Sequence, residues 1–416
     1  MAELEYIPQG YKKSPLGIIP LEWDVVHLGS LVSITSGESP SSYCLKNFGK
    51  YPYVKVEDMN NCEKYQKNSR EYSDDERNIV SINSVIFPKR GAAISNNKVR
   101  IAACNLQMDS NMMAITPNAN TICEFLYYMI KFKQLYRIAD TSTIPQINNK
   151  HIIPYKICLP PIEEQKKIAE LLSEWDKAIE LQTKLIEKLE LRKRALMQHL
   201  LTGRIRLSGF SDKWKKKRLS EIGAFLSSNT LAREKLNKIG GHIQNIHYGD
   251  ILIHYPTIVN PEYSQIPYVN KDVIVTSDLL QDGDIVFADT AEDNTVGKAI
   301  EIVNAKSRQI VAGLHTIPFR PNNGLFAKQF LGYYINSASY QKQLRALTQG
   351  IKVCSISKSS IKNTYLQIPS LAEQITIAEV LMSADAEIEI AKTKLSSLRN
   401  QKRGLMQQLL TGKKRV

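Results

Sequence analysis

The sequence lacks the signatures of several common protein classes. Its 6 cysteines are scattered and form no Cys-x-x-Cys pair, so no zinc site is predicted. Free thiols are typical of a reducing compartment, and we expect a cytoplasmic protein. No apolar run is long enough to cross a membrane and no signal peptide is found, so no membrane partner is expected.

Motifs for catalysis are also missing or incomplete. Asn260-Pro-Glu-Tyr263 lacks the second proline of the Asn-Pro-Pro-Tyr loop with which amino-methyltransferases hold a target base. No Gly-rich loop for an adenosyl cofactor accompanies it, so we interpret it as a turn. The acidic residues at 289–293 have no lysine at nuclease spacing, and the 7 histidines are not at clear ligand spacing. No catalytic residue, metal site or cofactor is therefore predicted in this chain.

Positive charge, in contrast, is in excess. Lys and Arg number 55 against 41 Asp and Glu, which gives a formal net charge of +14 at pH 7. Such a surplus predicts an anionic partner, and because nothing indicates a membrane surface we expect nucleic acid. The length of 416 residues with 43% apolar residues predicts two or more globular units with cores of their own.

The strongest pattern is an internal repeat. Residues 160–206 recur without a gap as residues 369–415, and Gly203 aligns with Gly412 at an offset of 412 − 203 = 209 residues. Roughly 21 of about 47 positions are identical, which is strong self-similarity. Both copies begin at a proline and end in Leu-Leu-Thr-Gly, as helices commonly do. Each copy predicts a helix of roughly 38 residues, about 57 Å long.

Apolar residues recur in heptads along both predicted helices. A seam with alternating steps of four and three residues is typical of a coiled coil. Neither helix can bury its seam alone, so we expect the two copies to pack on each other; two surface helices on separate domains are the alternative. The seam positions are Ile168, Leu172, Trp175, Ile179, Ile186 and Leu189, then Ile377, Leu381, Ile388, Leu395 and Leu398. Lys193 and Lys402 share one polar seam position, to which the sequence assigns no role.

A globular unit precedes each long helix. Trp23 followed by Leu28 recurs as Trp214 followed by Leu219, so the duplication extends beyond the helices. Between such landmarks the two units share little, which indicates a retained frame with diverged surfaces. The predicted domains are residues 1–159 with a loose lead at 1–20, a helical spacer at 160–206, a second unit at 207–368 and a second helical spacer at 369–416.

Both globular units are predicted to mix strands and helices. Strand-like runs alternate with Ser, Asn and Gly turns. The predicted strands are residues 25–34, 53–56, 84–87, 251–254, 273–276 and 284–288, and the predicted helices are residues 122–139 and 327–347.

Loops in both units combine basic, amide and hydroxyl residues. Arg can read guanine and Asn or Gln can read adenine by paired hydrogen bonds, while Lys and hydroxyl groups hold phosphates. Each loop alone is equally typical of an ordinary polar surface, but the loops occur at matching positions in both units. The candidate DNA-binding residues are Ser36, Gly37, Ser41, Tyr43, Lys89, Arg90, Asn96, Asn97, Lys98, Thr141, Ser142, Gln146 and Asn148, then Ser227, Ser228, Asn229, Arg233, Asn245, His247, Tyr248, Lys352, Ser355 and Lys358.

The chain resembles the DNA-specificity subunit of type I restriction-modification enzymes over nearly its whole length. The resemblance rests on two Pro-x-x-x-Glu-Gln-x-x-Ile-Ala-Glu segments, Pro160–Glu170 and Pro369–Glu379, and on the Leu-Met-Gln-x-Leu-Leu-Thr-Gly ending of each helix. It implies an α+β fold in which two mixed α/β target-recognition domains are separated by two long antiparallel coiled-coil helices, with a pseudo-two-fold internal repeat.

The same resemblance implies a function. Each target-recognition domain would read one half of a split, asymmetric site in double-stranded DNA, and the helices would set the gap and dock two modification subunits. Those subunits would carry S-adenosylmethionine and methylate adenine, and a separate restriction subunit would use ATP and Mg²⁺. Individual base contacts do not carry over, because recognition loops vary within the family.

Two other classes of function stay open from the sequence. The chain could be a solitary DNA adenine methyltransferase or nuclease that uses residues 260–263, which predicts methyl transfer by the purified chain alone. It could also be a coiled-coil scaffold, which predicts no salt-dependent, sequence-selective DNA binding.

Overall fold

The protein forms two compact units of mixed helix and strand. The computed structural model describes residues 6–142, 144–271, 273–350 and 352–416. Unit 1 comprises Met1–Thr183 and Thr393–Val416, and unit 2 comprises Lys184–Lys392. The prediction of an α+β fold is confirmed. Among the described residues, no helix is long and apolar enough to span a bilayer, and all six cysteines are free.

Unit 1 has its core around a five-stranded sheet and helix α2, with Phe87, Ile115 and Phe125 fully buried. Its strands are β1 (Tyr11–Ser14), β2 (Gly17–Pro20), β3 (Asp24–His27), β4 (Val32–Ser36), β5 (Tyr51–Val54), β6 (Tyr65–Gln66), β7 (Glu71–Ser73), β8 (Val85–Pro88), β9 (Arg100–Ala102), β10 (Gln107–Met108), β11 (Met112–Pro117) and β12 (Lys156–Leu159). Its helices are α1 (Ala92–Ser95), α2 (Cys123–Lys133), α3 (Leu135–Ile138), α4 (Asn149–Ile152) and the long α5 (Ile162–Leu200), which continues into unit 2.

Unit 2 repeats this plan, with Phe287, Phe319 and Phe330 fully buried. Its strands are β13 (Lys215–Arg218), β14 (Gly223–Phe225), β15 (Leu236–Asn237), β16 (Ile243–Ile246), β17 (Ile258–Val259), β18 (Tyr268–Val269), β19 (Ile285–Ala288), β20 (Thr290–Ala291), β21 (Ala299–Ile302), β22 (Gln309–Ala312), β23 (Thr316–Pro321), β24 (Cys354–Ser355) and β25 (Tyr365–Ile368). Its helices are α6 (Tyr248–Ile253), α7 (Phe330–Ile335), α8 (Ala338–Arg345), α9 (Lys358–Lys362) and the long α10 (Leu371–Leu409).

The five-stranded sheets of the two units have the same topology. The five-stranded sheet has the order β4-β11-β8-β9-β6 in unit 1 and β14-β23-β19-β21-β17 in unit 2. In both, the last pair is parallel and the other pairs are antiparallel. The middle strands β8 and β19 are buried along their whole length, as continuous apolar runs predict. The duplication inferred from the helices therefore includes the globular parts.

The long helices match the sequence prediction in length and ends. Helices α5 and α10 are each 39 residues long. Gly203 and Gly412 follow them with φ of 68° and 72°, in the left-handed conformation that closes helices and favours glycine. None of the predicted seam residues is exposed. The first of them, Ile168 and Leu172, pack into the core of unit 1 together with Leu409, so the seam begins inside a globular core.

The doubled Glu-Gln motif fastens each long helix to its globular unit. In unit 1 the buried Glu164 carboxylate accepts hydrogen bonds from Trp23 Nε1 at 2.9 Å and from Arg415 Nε at 3.1 Å and Nη2 at 2.9 Å. In unit 2 Glu373 accepts from Trp214 Nε1 at 3.0 Å and from Arg206 at 2.6 and 2.8 Å. Although burial alone would raise the pKa of Glu164, the bonds from Arg415 and Trp23 hold it below its ordinary value.

The glutamine of the motif holds main-chain groups. Gln165 donates to the carbonyl oxygens of Asn120 and Pro160 at 3.1 and 3.0 Å, and Gln374 donates to those of Leu325 and Pro369 at 3.2 and 3.1 Å. Both glutamine side chains are almost fully buried. Each therefore supplies the hydrogen bonds that water would otherwise donate to these carbonyl groups.

Lys193 and Lys402, to which the sequence assigns no role, make equivalent contacts with an aspartate and a tyrosine in the two units. In unit 1 Lys402 pairs with Asp176 and lies 5.1 Å from the Tyr128 ring centroid, while Tyr128 Oη donates to Asp176 at 2.5 Å. In unit 2 Lys193 pairs with Asp385 and lies 5.4 Å from the Tyr333 ring centroid, while Tyr333 Oη donates to Asp385 at 2.7 Å.

In unit 1, Asp176 pairs with Lys402 and the earlier Glu164 pairs with the later Arg415, so the segments of the two long helices run antiparallel. The pairs Lys193–Asp385 and Arg206–Glu373 show the same direction in unit 2.

Several local predictions are wrong. Residues 251–254 lie in helix α6 and at its C-terminus, because His247 caps that helix through a hydrogen bond from Gly249. Residues 273–276 form no strand. The lead at 1–20 is not loose over its described part, since β1 and β2 pair as a hairpin; residues 1–5 lie outside the described chain. Strand 25–34 is divided into β3 and β4, and helix 122–139 is interrupted at Gln134, which has a φ of 64°.

Helix 327–347 is also shorter and divided. The described chain forms α7 and α8 there, separated where Ser337 accepts a hydrogen bond from the Tyr340 amide and starts a new helix.

Gly404 gives a direct test of helix stability in unit 1. It lies inside α10, and an added Cβ would meet no atom within 4 Å. Because alanine loses less backbone entropy than glycine in a helix, Gly404→Ala should raise the free energy of unfolding by about 0.5–1 kcal/mol. Thermal or urea unfolding measures this. Gly37→Ala is the contrasting variant, because its Cβ would lie 2.0 Å from the Asp109 carbonyl oxygen and should destabilise the same unit.

Candidate nucleic-acid interface

The end of strand β8 and a neighbouring loop form one polar edge of unit 1, which we call edge 1 (Lys89, Arg90, Asn111 and Gln146). The Lys89 amide donates to the Asn111 carbonyl at 2.7 Å, and the Lys89 carbonyl accepts from Ile147 at 2.9 Å. The main chain of Arg90 pairs with that of Gln146 as an isolated β-bridge, and Gln146 forms a second β-bridge with Asp140. Burial lowers the pKa of Lys89. The main chain of this edge is therefore fixed, while the Arg90 side chain is exposed.

The same arrangement follows strand β19 in unit 2, as edge 2 (Asp289, Thr290, His315 and Ser355). The Asp289 amide donates to the His315 carbonyl at 3.1 Å, and the Asp289 carbonyl accepts from Ile356 at 2.8 Å. Thr290 pairs with Ser355, and Ser355 pairs with Gln349. The backbone contacts of edge 1 thus recur, with different side chains on them.

The candidate residues of unit 1 differ in exposure and in their bonding partners. Tyr43 is mostly buried; burial and a hydrogen bond to Glu38 raise its pKa to about 12. The side chain of Asn97 donates to the Lys131 carbonyl and accepts from the Leu135 amide, and the Asn148 amide at the start of helix α4 donates to His151 Nδ1. The exposed candidates are Ser36, Ser41, Arg90, Asn96, Thr141, Ser142 and Asn148, and the half-buried ones are Gly37, Lys89, Lys98, Asn97 and Gln146.

In unit 2 the structure brings part of the candidate set together. Asn229 Nδ2 donates to Asn245 Oδ1 at 2.8 Å, and the rings of His247, Tyr248 and His315 follow one another at centroid distances of 4.7 and 5.3 Å. Asn245 and His247 are buried, and burial lowers the pKa of His247. The exposed candidates are Ser227, Ser228, Arg233, Lys352, Ser355 and Lys358, while Asn229 and Tyr248 are half-buried.

Three of these exposed residues are already engaged. Arg233 donates to both oxygens of the buried Asp250 at 3.0 Å, and the Ser227 hydroxyl donates to Asp278 at 2.6 Å. Lys358 Nζ donates to the Leu226 carbonyl at 3.4 Å. These side chains thus shape the surface of unit 2 through contacts inside the unit.

The sequence prediction did not include Asn111, His315 or Thr290, although each lies on an edge. Asn111 immediately precedes strand β11, and His315 immediately precedes strand β23. Their equivalence could have been read from the matching positions of Thr116-Pro117-Asn118 and Arg320-Pro321-Asn322. Among the described residues no group of His, Cys, Asp and Glu is arranged for a metal ion. Residues 260–263 form a turn that Asn260 closes by accepting from the Glu262 and Tyr263 amides.

A comparison with protein families agrees with this duplicated architecture. The sequence pattern of the type I restriction modification DNA specificity domain matches residues 20–191 and again residues 211–400. The chain belongs to this family. The two matches fall on the two halves of the internal repeat, so the repeating element is a type I specificity domain with the long helix that follows it. The resemblance inferred from the Glu-Gln motifs is confirmed.

Relatives of the specificity family cover the full length of the chain. The type I restriction enzyme MjaVIII specificity subunit of Methanocaldococcus jannaschii is 28% identical over 426 residues, 96% of this chain and 94% of the relative. The putative MjaX specificity subunit of the same organism is 27% identical over 449 residues, with 99% and 98% covered.

Solved structures of the specificity family share the fold. A chain from a study of assembly and conformational transition of the type I restriction-modification system has a TM-score of 0.63 at 16% identity, covering 95% of this chain and 99% of that one. The S subunit from M. genitalium has a TM-score of 0.54 at 17% identity, covering 93% and 96%.

Proposed function

We propose that this chain is the non-catalytic DNA sequence-recognition subunit of a type I restriction-modification complex. Unit 1 reads one half of a bipartite, asymmetric site and unit 2 reads the other. The observation that carries the proposal is the repetition of one specificity domain, with the same main-chain contacts at edges 1 and 2 but different side chains. Two divergent readers on one chain match a site with two different halves. The net charge of +14 supports a phosphate backbone as the partner.

The partners follow from the same proposal. Two modification subunits dock on the paired helices, supply S-adenosylmethionine and methylate adenine, and a restriction subunit adds ATP- and Mg²⁺-dependent cleavage. Several apolar side chains on the parts of α5 and α10 that belong to unit 2 are exposed, among them Leu185, Leu191 and Ile390. They are candidates for a docking surface of such a partner. The complex works in the cytoplasm, where its DNA is.

The proposal is tested by mapping methylated adenines across the genome with and without this chain. We expect one bipartite motif to lose its methylation when the chain is deleted and to regain it when the chain is returned. An unchanged set of methylated motifs would contradict the proposal. Methyl transfer by the purified chain in the absence of other subunits would instead favour the enzymatic alternative.

A further inference from the structure

Edges 1 and 2 carry different side chains at equivalent positions, and Arg90 of edge 1 has Thr290 as its equivalent in edge 2. The main chain at Arg90 is held by its bridge to Gln146 and by the hydrogen bond from the Gly91 amide to the Pro145 carbonyl at 2.9 Å. The equivalent residue of unit 2 is Thr290, held by its pairing with Ser355. One scaffold therefore presents a long forked donor in unit 1 and a short hydroxyl in unit 2.

The Arg90 guanidinium has no hydrogen bond or ion pair with any described part of the chain. Arg70 and Arg100 of unit 1 are engaged in contrast: Arg70 pairs with Glu57 and Asp58, and Arg100 donates to three main-chain carbonyl groups. An exposed arginine on a fixed main chain keeps its five donors for a partner outside the chain. Structural pairing does not account for its position.

The surroundings of Arg90 fit the edge of a base. Arg90 lines an open cleft of about 400 Å³ together with Lys55, Asp109 and Asn111. Two carboxylates, Glu57 and Asp109, also line this cleft. Asp109 accepts from the amide and the side chain of Asn111 at 2.8 Å, and Glu57 pairs with Arg70 at 2.9 Å. Both carboxylates therefore have partners of their own, and neither is paired with the Arg90 guanidinium.

We propose that Arg90 is a specificity-determining residue that reads one guanine in the half-site of unit 1, by paired hydrogen bonds to O6 and N7 in the major groove. A guanidinium fork matches these two acceptors, whereas the hydroxyl of Thr290 accepts or donates a single bond and discriminates bases weakly. The guanine contact belongs to one half-site, and the equivalent position of the other half lacks it. This inference rests on the proposed function.

The test uses the chain in complex with its modification subunits and duplexes that carry the mapped motif. Each guanine of the motif is replaced in turn by 7-deazaguanine, which lacks only the N7 acceptor. At one position the wild-type complex should bind more weakly, by no more than the roughly 5- to 100-fold expected when a whole bidentate contact is lost, because O6 still accepts its bond. Arg90→Ala should bind the natural duplex more weakly and show no further loss at that position.

Arg137→Ala is the matched control, because it removes the same charge from helix α3 and should retain the sensitivity to 7-deazaguanine. Thermal unfolding of Arg90→Ala should match the wild type, since the exposed side chain makes no hydrogen bond or ion pair with the described chain. Full sensitivity in Arg90→Ala, or none at any guanine in the wild type, would overturn the assignment of Arg90. Absence of any sequence-selective binding by the wild type would instead overturn the proposed function.

Discussion

Replacing Glu373 by alanine should lower the free energy of unfolding of unit 2 by about 3 kcal/mol, the lower end for breaking a buried ion pair. The carboxylate is 1% exposed and accepts from Arg206 and Trp214. Its removal leaves the Arg206 guanidinium and the Trp214 indole NH without their acceptor, and each then has to be solvated or stay unpaired. Hydrogen exchange of amides in unit 2 measures the loss separately from unit 1.

Two variants make this result specific. Glu373→Gln keeps an acceptor oxygen without the charge and should cost less than the alanine variant. Glu379→Ala removes a carboxylate from an exposed position of the same helix and should change stability by no more than about 0.5 kcal/mol. If Glu373→Ala and Glu379→Ala unfold alike, the proposed role of the motif as a fastening is wrong. Glu164→Ala should repeat the effect in unit 1.

Lengthening both long helices by one heptad should lengthen the nonspecific gap of the methylated motif by about 3 base pairs, at 1.5 Å of rise per residue and 3.4 Å per base pair. The insertions belong between Thr183 and Lys184 and between Lys392 and Thr393, where each helix passes from one unit to the other. A heptad restores the same helix face after two turns, so the contacts on either side are kept. Genome-wide methylation mapping gives the gap directly.

The control is a heptad inserted into α5 alone. Facing partners such as Asp176 with Lys402 and Lys193 with Asp385 then cannot all keep their register, so we expect lower stability and weaker methylation rather than a new gap. A doubly extended chain that methylates the original motif with the original gap would show that the helices do not set the spacing.

The long helices and the duplication were predictable because the residues that specify them form local patterns that occur twice in the sequence. Heptad spacing, the prolines and the closing glycines each constrain a short segment, and two copies confirm one another. The role of Glu164 and Glu373 was not predictable, because a glutamate in the first turn of a helix is ordinarily solvated. Their partners Trp23, Arg415, Trp214 and Arg206 are distant in sequence, so only the fold brings them together.

For the candidate DNA-binding residues, the sequence indicates composition and not contacts. Sequence shows which side chains carry donors and acceptors, but not which of them the protein itself uses. Asn97 and Arg233 look alike as polar loop residues, yet Asn97 bonds to the main chain and Arg233 pairs with a buried carboxylate. Residues 251–254 show the corresponding limit for short apolar runs, which fit a strand or a buried helix equally well.

The division of the chain into units also fixes the order in which they can be completed during translation. Unit 1 needs Lys402 for the contact with Asp176 and Arg415 for the contact with Glu164, and both belong to Thr393–Val416. All of unit 2, Lys184–Lys392, leaves the ribosome before them. Unit 1, whose synthesis starts first, is therefore completed last. A nascent chain from which all of unit 2 has emerged can fold that unit while unit 1 still lacks residues 393–416.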